Sequence, residues 1–549
     1  MMFRRKIAFS VVVVLLFIAS VGAVRSTDIY FQIKKQLTIF SDIYKEVATQ
    51  YVDEVSPEPL MQRGIRSMLE SLDPYTVFID EGDQQQLEIL SSGNYGGIGI
   101  NAGFRGDRIV VVAPLEGYPA ERSGIRPGDI ILKIDGTDTE GMNPDEVQQL
   151  TIGDVGTFVS LEIDRAGIEQ PITFQLERER IEVENITYSD KIGSGNDIAY
   201  IQLMRFGQNA SEEVRRKLMD FQENGAMNGL ILDLRNNPGG LLQEAVQIVD
   251  KFVEPGEPVV ETRGRLKEQS HVYTATEPPL FEDLPIVVLQ NSGSASASEV
   301  VAGALQDLDR AVILGETSFG KGLVQTIRPL SYNTSLKLTV SKYYTPSGRS
   351  IQSVVYTHDR KKPEQIIPDS LRREFTTRNG RKVYDGMGIE PDITVKELST
   401  SLLEITLMQQ NHYFFFVNDY ISRLPEGERE KIPENIYDEF LTYLDQQDFD
   451  YHTSADRQIE ELQSSLNLFT DEEEAKEKLS ELEHLVQAKK KQALADNRER
   501  IEQIIEMEWV ARVKGQKERI KASLPSDRYV QQGLSLLSKR PVYDSILRP

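Results

Sequence analysis

The chain has 549 residues, 39% of them hydrophobic and 27% charged, with a mean hydropathy of −0.37. At roughly 150 residues per domain this is a globular protein of about three or four domains, and it excludes a disordered chain or a multi-span membrane protein. A formal net charge of −24 rules out a nucleic-acid partner on any broad surface. The absence of cysteine removes disulfides, thiolate zinc sites, iron–sulfur clusters and a cysteine nucleophile. The five histidines are scattered, and no H-E-x-x-H occurs, so neither a zinc hydrolase nor any other metal or cofactor enzyme is expected.

Arg4, Arg5 and Lys6 precede an uncharged run from Ile7 to Val24. A cationic start followed by an apolar segment is the pattern of an export signal. The run is also just long enough to span a bilayer, so residues 1–24 read as a cleaved signal peptide or a retained anchor. The expected location is the periplasm or cell envelope.

Residues 25–92 read as helical. Phe40, Ile43, Tyr44, Val47 and Tyr51 recur at helical spacing, as do Leu60, Ile65, Met68 and Leu69, with Pro57 and Pro59 as the break between two helices. From about residue 93 to 180 the texture becomes β-rich. Tyr95-Gly96-Gly97-Ile98-Gly99-Ile100 opens it, and strands are expected at Arg108–Val112, Ile130–Ile134, Phe158–Arg165 and Ile172–Leu176. Short helices are expected near Pro119–Arg122 and Pro144–Leu150.

Residues 181–395 alternate strand and helix. Strands are expected at Ile198–Leu203, Gly229–Leu234, Ile286–Gln290 and Ala311–Gly315, with helices at Ser211–Gln222, Leu241–Phe252 and Ala295–Leu308. This implies parallel strands with crossover helices, followed by plain β at Leu323–Ile327 and Ser335–Tyr344. From residue 396 to 549 the chain is helical and highly charged, nearly continuous from Asp471 to Leu524 except at Gly515. Such helices leave two readings open, pairing between subunits of a homo-oligomer and packing on their own domain. The apolar run Tyr413–Val417 fits a helix core better than a partner surface. The fold class is therefore α+β and multidomain: N-terminal helices, a small β-rich domain, an α/β core and a C-terminal helical region.

The chemistry-bearing residues lie where the parallel strands of the core end. Gly229–Leu234 runs into Arg235-Asn236-Asn237-Pro238-Gly239-Gly240, and Ile286–Gln290 into Asn291-Ser292-Gly293-Ser294-Ala295-Ser296-Ala297-Ser298-Glu299. Ala311–Gly315 runs into Glu316-Thr317-Ser318-Phe319-Gly320-Lys321-Gly322, with Gln325 beyond. Loops converge at such strand ends, and the first amides of a helix point into the crevice. Ser296 is placed in the first turn of its helix, and the Gly239-Gly240 turn offers amides with no side chain in the way. No histidine lies in these loops, so a serine nucleophile needs another base. Lys321 is the only cation in its loop, and burying an ammonium lowers its pKa enough to accept a proton. Gln325 is a neutral partner for its nitrogen. Ser294 and Ser298 read as helix caps. A nucleotide site fits poorly: Gly315-x-x-x-x-Gly320-Lys321 is followed by Gly322, where magnesium binding needs Ser or Thr, and then by β-structure.

Gly293–Glu299 and Phe319-Gly320-Lys321-Gly322-x-x-Gln325 resemble the C-terminal processing (tail-specific) peptidases, serine–lysine proteases carrying a PDZ domain. So do Asp233–Gly240, Tyr343–Arg349 and Gly388-Ile389-Glu390-Pro391-Asp392, in order over about residues 40–395. The resemblance implies Ser296 as nucleophile, Lys321 as general base and Gln325 as its orienting partner. It further implies an oxyanion hole from the amide of Ala297 and one from Gly239 or Gly240. It makes residues 93–180 a PDZ domain in which Gly96, Gly97, Ile98 and Gly99 bind a peptide's terminal carboxylate, and which gates the cleft. The partners implied are protein or peptide substrates with free, apolar C-termini and a regulatory adaptor protein. A catalytically silent PDZ scaffold is the rival, and the intact Ser296, Lys321 and Gln325 set argues against it. Residues 353–383 are longer than the family's usual spacing and read as a surface insertion.

Overall fold

The computed structural model describes residues 29–82, 84, 93–105, 108–356, 364–396, 400–466 and 473–548. The expected signal or anchor segment lies outside them. No helix among the described residues is long and apolar enough to cross a membrane. The chain divides into two compact units.

Of the described residues, the smaller unit contains 29–81, 325–339, 356, 364 and 365. Residues 29–50 are helical, and Pro57 opens the second helix, Pro57–Glu70, where a missing N–H costs nothing. A strand that local composition does not announce, Val77–Ile79, pairs antiparallel with residues 335–337. Asp73 holds this region together. Its Oδ1 accepts the Tyr75 and Thr76 amides at 2.8 Å each and the Thr339 hydroxyl at 3.2 Å.

In the larger unit, residues 100–177 form an antiparallel sheet in the order Ile100–Arg105, Arg108–Pro114, Ile130–Ile134, Phe158–Asp164, Ile172–Glu177. Helix Pro144–Thr151, opened by an Asn143–Glu146 capping box, lies beside the first strand. Asn94–Gly97 pairs with Glu179–Glu182 and ties the two ends of this segment together. Gly96 and Gly97 are therefore strand residues, and the loop expected at 96–99 shrinks to Ile98-Gly99. Ile98 itself is core, 1% exposed, because the chain must turn inward there to start the next strand.

The catalytic-type core is a six-stranded sheet ordered Ile186–Ile192, Ile198–Leu203, Gly229–Asp233, Ile286–Gln290, Val312–Gly315, Ile393–Thr394. Only its first pair is antiparallel. Alternate side chains point to opposite faces. Ile201, Leu232, Val288 and Ile313 meet helices Ala210–Glu223, Leu242–Asp250 and Ala297–Asp307 on one face. On the other, Tyr200, Ile231, Val287 and Leu314 are covered by Arg528–Leu537 and Arg540–Leu547. The last two helices thus cover the second face of this sheet, because a parallel sheet needs both faces buried. Tyr543 seals the contact: its hydroxyl accepts the Ile286 N–H at 2.9 Å and donates to the Ile286 carbonyl at 3.0 Å. Tyr543→Phe is expected to cost about 2–4 kcal/mol by orphaning both buried groups. A urea melt checks this, and an unchanged midpoint would show the hydroxyl to be idle.

Helices Leu402–Gln409, His412–Arg423, Ile436–Gln446 and Arg498–Lys514 pack around Phe416, Phe440 and Trp509, so the Tyr413–Val417 run is indeed largely core. The second half of the expected insertion is not loose surface. Hairpin Glu374–Thr376/Lys382–Tyr384 is tied to the core through Arg381, which pairs with Asp309 and Asp392 at 2.6 Å each.

Candidate active site

Three loops at the carboxyl ends of the parallel strands meet around Asn237, which is fully buried. Its side chain donates to the Leu203 carbonyl at 2.7 Å and accepts the Gly239 N–H at 2.9 Å. Its carbonyl accepts the Ala295 N–H at 3.0 Å and the Ser298 hydroxyl at 2.9 Å. Ser294 Oγ donates to the Leu234 carbonyl at 2.8 Å. The hydroxyls of Ser294 and Ser298 thus do not cap the helix; they stitch one loop to the next. The loop after Gly229–Asp233 is anchored from behind by Arg235, which bridges Asp233 (2.5 Å) and Asp527 (2.8 Å).

Ser296 stands apart from its two neighbours. It precedes helix Ala297–Asp307 rather than sitting in its first turn, with φ 56° and ψ −113°. A residue with a Cβ pays about 1–3 kcal/mol for such a backbone, and strain of this kind concentrates at functional sites. The same kink aims the chain so that the Ala297 N–H, first of the helix's unpartnered amides, lies beside the serine. Gly239, at φ 102°, fills the remaining space. A Cβ there would lie 2.8 Å from the Ala295 carbonyl, 2.9 Å from the Ala297 nitrogen and 2.9 Å from Ser296 Cβ. The Gly239 amide itself is engaged by Asn237, so of the two glycines expected to donate, Gly240 is the one whose N–H is not taken up in this way.

The residue that sequence reading missed is Glu299. It is fully buried, and among the described residues no basic side chain forms an ion pair with it. Its Oε2 accepts the backbone amides of both Ser296 and Lys321 at 2.8 Å, which puts those two nitrogens within twice that distance of each other. Its Oε1 accepts the Gly320 amide at 2.6 Å and the Ser318 hydroxyl at 2.5 Å. Burial pushes the carboxyl up to about 7, against the pull of these four donors. The clue was the Ser-x-x-Glu spacing, which ordinarily marks a capping box and no more.

Lys321 is half-buried in a loop fixed on both sides. The Gly320 carbonyl accepts the Ser353 N–H at 3.0 Å, the Gly322 amide donates to Gln352 Oε1 at 2.8 Å, and the Gly322 carbonyl accepts the Tyr343 N–H at 2.8 Å. Gly322 leads directly into the strand Leu323–Pro329, not into the helix a phosphate loop requires. The Tyr343 side chain hydrogen-bonds Ser296, and burial pushes its phenol up to about 12, so it stays a neutral hydroxyl beside the serine. Gln325 belongs to the smaller unit, where its Nε2 donates to Thr339 Oγ1 at 3.2 Å. Among the described residues no group of His, Asp or Glu stands close enough to hold a metal ion. Of the residues expected to line the peptide-binding loop, Gly99 (φ 73°) ends the turn that leads into Ile100–Arg105, the edge strand of its sheet.

A strained serine and the backbone of a glycine-flanked lysine thus share one buried carboxylate at the strand ends, and a small separate sheet precedes them in the chain. Comparison with known proteins names the family. Residues 197–362 match peptidase family S41, residues 110–165 a PDZ domain, and residues 403–537 the C-terminal helical domain of probable PDZ-proteases. The chain is 40% identical over 341 residues to the carboxy-terminal-processing protease of Bartonella bacilliformis, covering 62% of this chain and 77% of that one. It is 39% identical over 311 residues to the carboxyl-terminal-processing protease of Synechocystis, covering 56% and 71%. A solved photosystem II D1 C-terminal processing protease is 28% identical, covers 65% of this chain and 92% of that one, and superposes with a TM-score of 0.36. The chain belongs to the carboxy-terminal processing proteases of peptidase family S41, which are serine-type enzymes.

Proposed function

We propose that the protein is an exported endopeptidase that trims or degrades envelope proteins from their C-termini with a serine–lysine dyad. The observation that carries this reading is the shared carboxylate of Glu299, which fixes the backbones of Ser296 and Lys321 from one point. Ser296 Oγ attacks the peptide carbonyl while Lys321 takes its proton. The Ala297 and Gly240 amides receive the oxyanion, with Gly239 as the tight wall behind it. The acyl-enzyme forms as the amine product leaves carrying the lysine's proton, and water then releases the acid product. Gln325 takes the positioning role that family resemblance assigns to it, and Gln325→Ala is expected to lower kcat about tenfold with the melting temperature unchanged. A wild-type rate would make the residue merely structural.

The Ile98-Gly99 turn and the Ile100–Arg105 edge suit capture of a substrate tail, whose carboxylate meets the turn while its backbone adds as a strand. The cationic start and apolar run of residues 4–24 support export. The test of the tail reading uses matched unfolded proteins ending in apolar or charged residues, each also with its terminus amidated. Faster cleavage of the free apolar tail is expected. Equal rates for all four would leave the PDZ domain without this role, and binding without cleavage by the wild type would favour the scaffold reading.

A further inference from the structure

The edge strand that would receive a tail begins at the Ile98-Gly99 turn and ends at Arg105. That far end of the sheet rests on the C-terminal helices. A Cβ on Gly128 would lie 2.2 Å from Asn418 Nδ2, and one on Gly167 would lie 3.7 Å from Ser422 Oγ. Between them Phe414 is flanked by two guanidinium groups. The Arg105 Cζ lies 4.9 Å from its ring centroid and the Arg512 Cζ 4.3 Å. Arg519, one turn beyond the Gly515 break, lies on helix Gln516–Ser523, which contacts the helix Arg498–Lys514 that carries Arg512.

The cluster is under-neutralised. Arg512 pairs with Glu508 at 2.7 Å and donates to Asn418, and its side chain is only 6% exposed. Among the described residues its Nη2 is buried with no acceptor, as are Nε of Arg105 and Nε of Arg519. Among the described residues neither Arg105 nor Arg519 has a carboxylate partner, so three cations face one anion in a protein of net charge −24. Buried guanidinium N–H groups without acceptors are costly, and a carboxylate is the group whose geometry fits them.

We infer that Arg105, Arg512 and Arg519 form a carboxylate-binding site that reads an acidic side chain upstream of the substrate's C-terminus. The inference rests on the tail reading above and adds a second specificity element to it. A tail with its last residue beside Ile100 must run antiparallel to Ile100–Arg105, since its carboxylate is at the turn where that strand starts. At about 3.3 Å per residue, its residue about five positions back comes level with Arg105.

Fluorescent ten-residue peptides with one apolar C-terminus test this by anisotropy against the full-length Ser296→Ala protein, which holds them uncut. Glu, Gln or Lys is placed four, five or six positions from the end, and each peptide is also made with an amidated terminus. At one of these positions Glu is expected to bind about tenfold tighter than Gln, and Lys weaker, as one charge-assisted contact would give. The Glu preference is expected to vanish in Arg105→Gln/Arg519→Gln, read as the ratio of Glu-peptide to Gln-peptide affinity within that one variant. Equal binding of Glu and Gln at all three positions, with amidation still weakening both, would overturn the site and leave the tail reading standing. Indifference to amidation throughout would sink the tail reading and the site with it.

Discussion

Lys321→Ala is expected to lower kcat by about 10³-fold, in the middle of the range for losing a general base, while the protein folds and binds tails as before. Lys321→Arg should be equally inactive. It keeps the charge and the length, but a guanidinium does not give up its proton near neutral pH and so cannot receive one from Ser296. Neither change touches the backbone amide that Glu299 holds, so the loop stays in place. Single-turnover cleavage of an unfolded substrate with an apolar tail, read beside anisotropy of tail binding, measures both halves. Retained turnover in the arginine variant would remove Lys321 from its role, and loss of binding in either would show that the loop had moved.

Glu299 carries the second large effect. Its carboxylate accepts three buried backbone amides and a hydroxyl, so Glu299→Leu leaves each amide unsatisfied at about 1–3 kcal/mol. That variant is expected to unfold or lose the site outright. Glu299→Gln is the informative change, because an amide can accept the Ser296 and Lys321 N–H groups through its single oxygen while its NH2 faces the Gly320 amide. The expected result is a folded enzyme with kcat down about 10- to 100-fold and tail binding unchanged.

The pH dependence arises from the same carboxyl. Its folded value, about 7, lies above the ordinary carboxylic range, so the neutral acid is favoured by folding. The stability this contributes is complete below the unfolded value near 4.5 and is lost as pH rises through about 7, by about 3 kcal/mol in all. Activity should run the other way, since a proton on Glu299 weakens its hold on the two catalytic backbones. Wild type is therefore expected to lose melting temperature relative to Glu299→Gln between about pH 4.5 and 7, while its kcat/KM rises over the same interval. A stability difference that is flat with pH would mean the carboxyl does not titrate there.

Much of this site was legible in the sequence because it is local. Ile286–Gln290 and Ser335–Tyr344 fall where their β-branched and alternating composition places them, and Ser296 and Lys321 sit in the loops that come after strands. Local pattern could not rank Ser294, Ser296 and Ser298. What separates them is whether the hydroxyl meets a carbonyl from another loop, as it does through Leu234 and Asn237, and the positive φ that falls on Ser296 alone of the three. Gly239 and Gly240 stand out in the sequence alike, as amides with no side chain in the way, yet only the fold shows that Asn237 occupies the first of them. Glu299 does not stand out in the sequence because three of its four partners, Ser318, Gly320 and Lys321, come from a loop some twenty residues on. The closing helices Arg528–Leu537 and Arg540–Leu547 are amphipathic on their own terms, and nothing in that pattern names the sheet they cover. Apart from the Asn237–Gly239 bond, each of these involves a partner distant in sequence.

The central claim is that Ser296 is the nucleophile, and one comparison tests it most directly. Wild type and Ser296→Ala, both without residues 1–24, are incubated with an unfolded protein bearing an apolar C-terminus, and the products are read by mass spectrometry. The account predicts fragments from the wild type alone, with both proteins binding the tail equally. Cleavage by the alanine variant at a comparable rate would contradict it and place the chemistry on another residue.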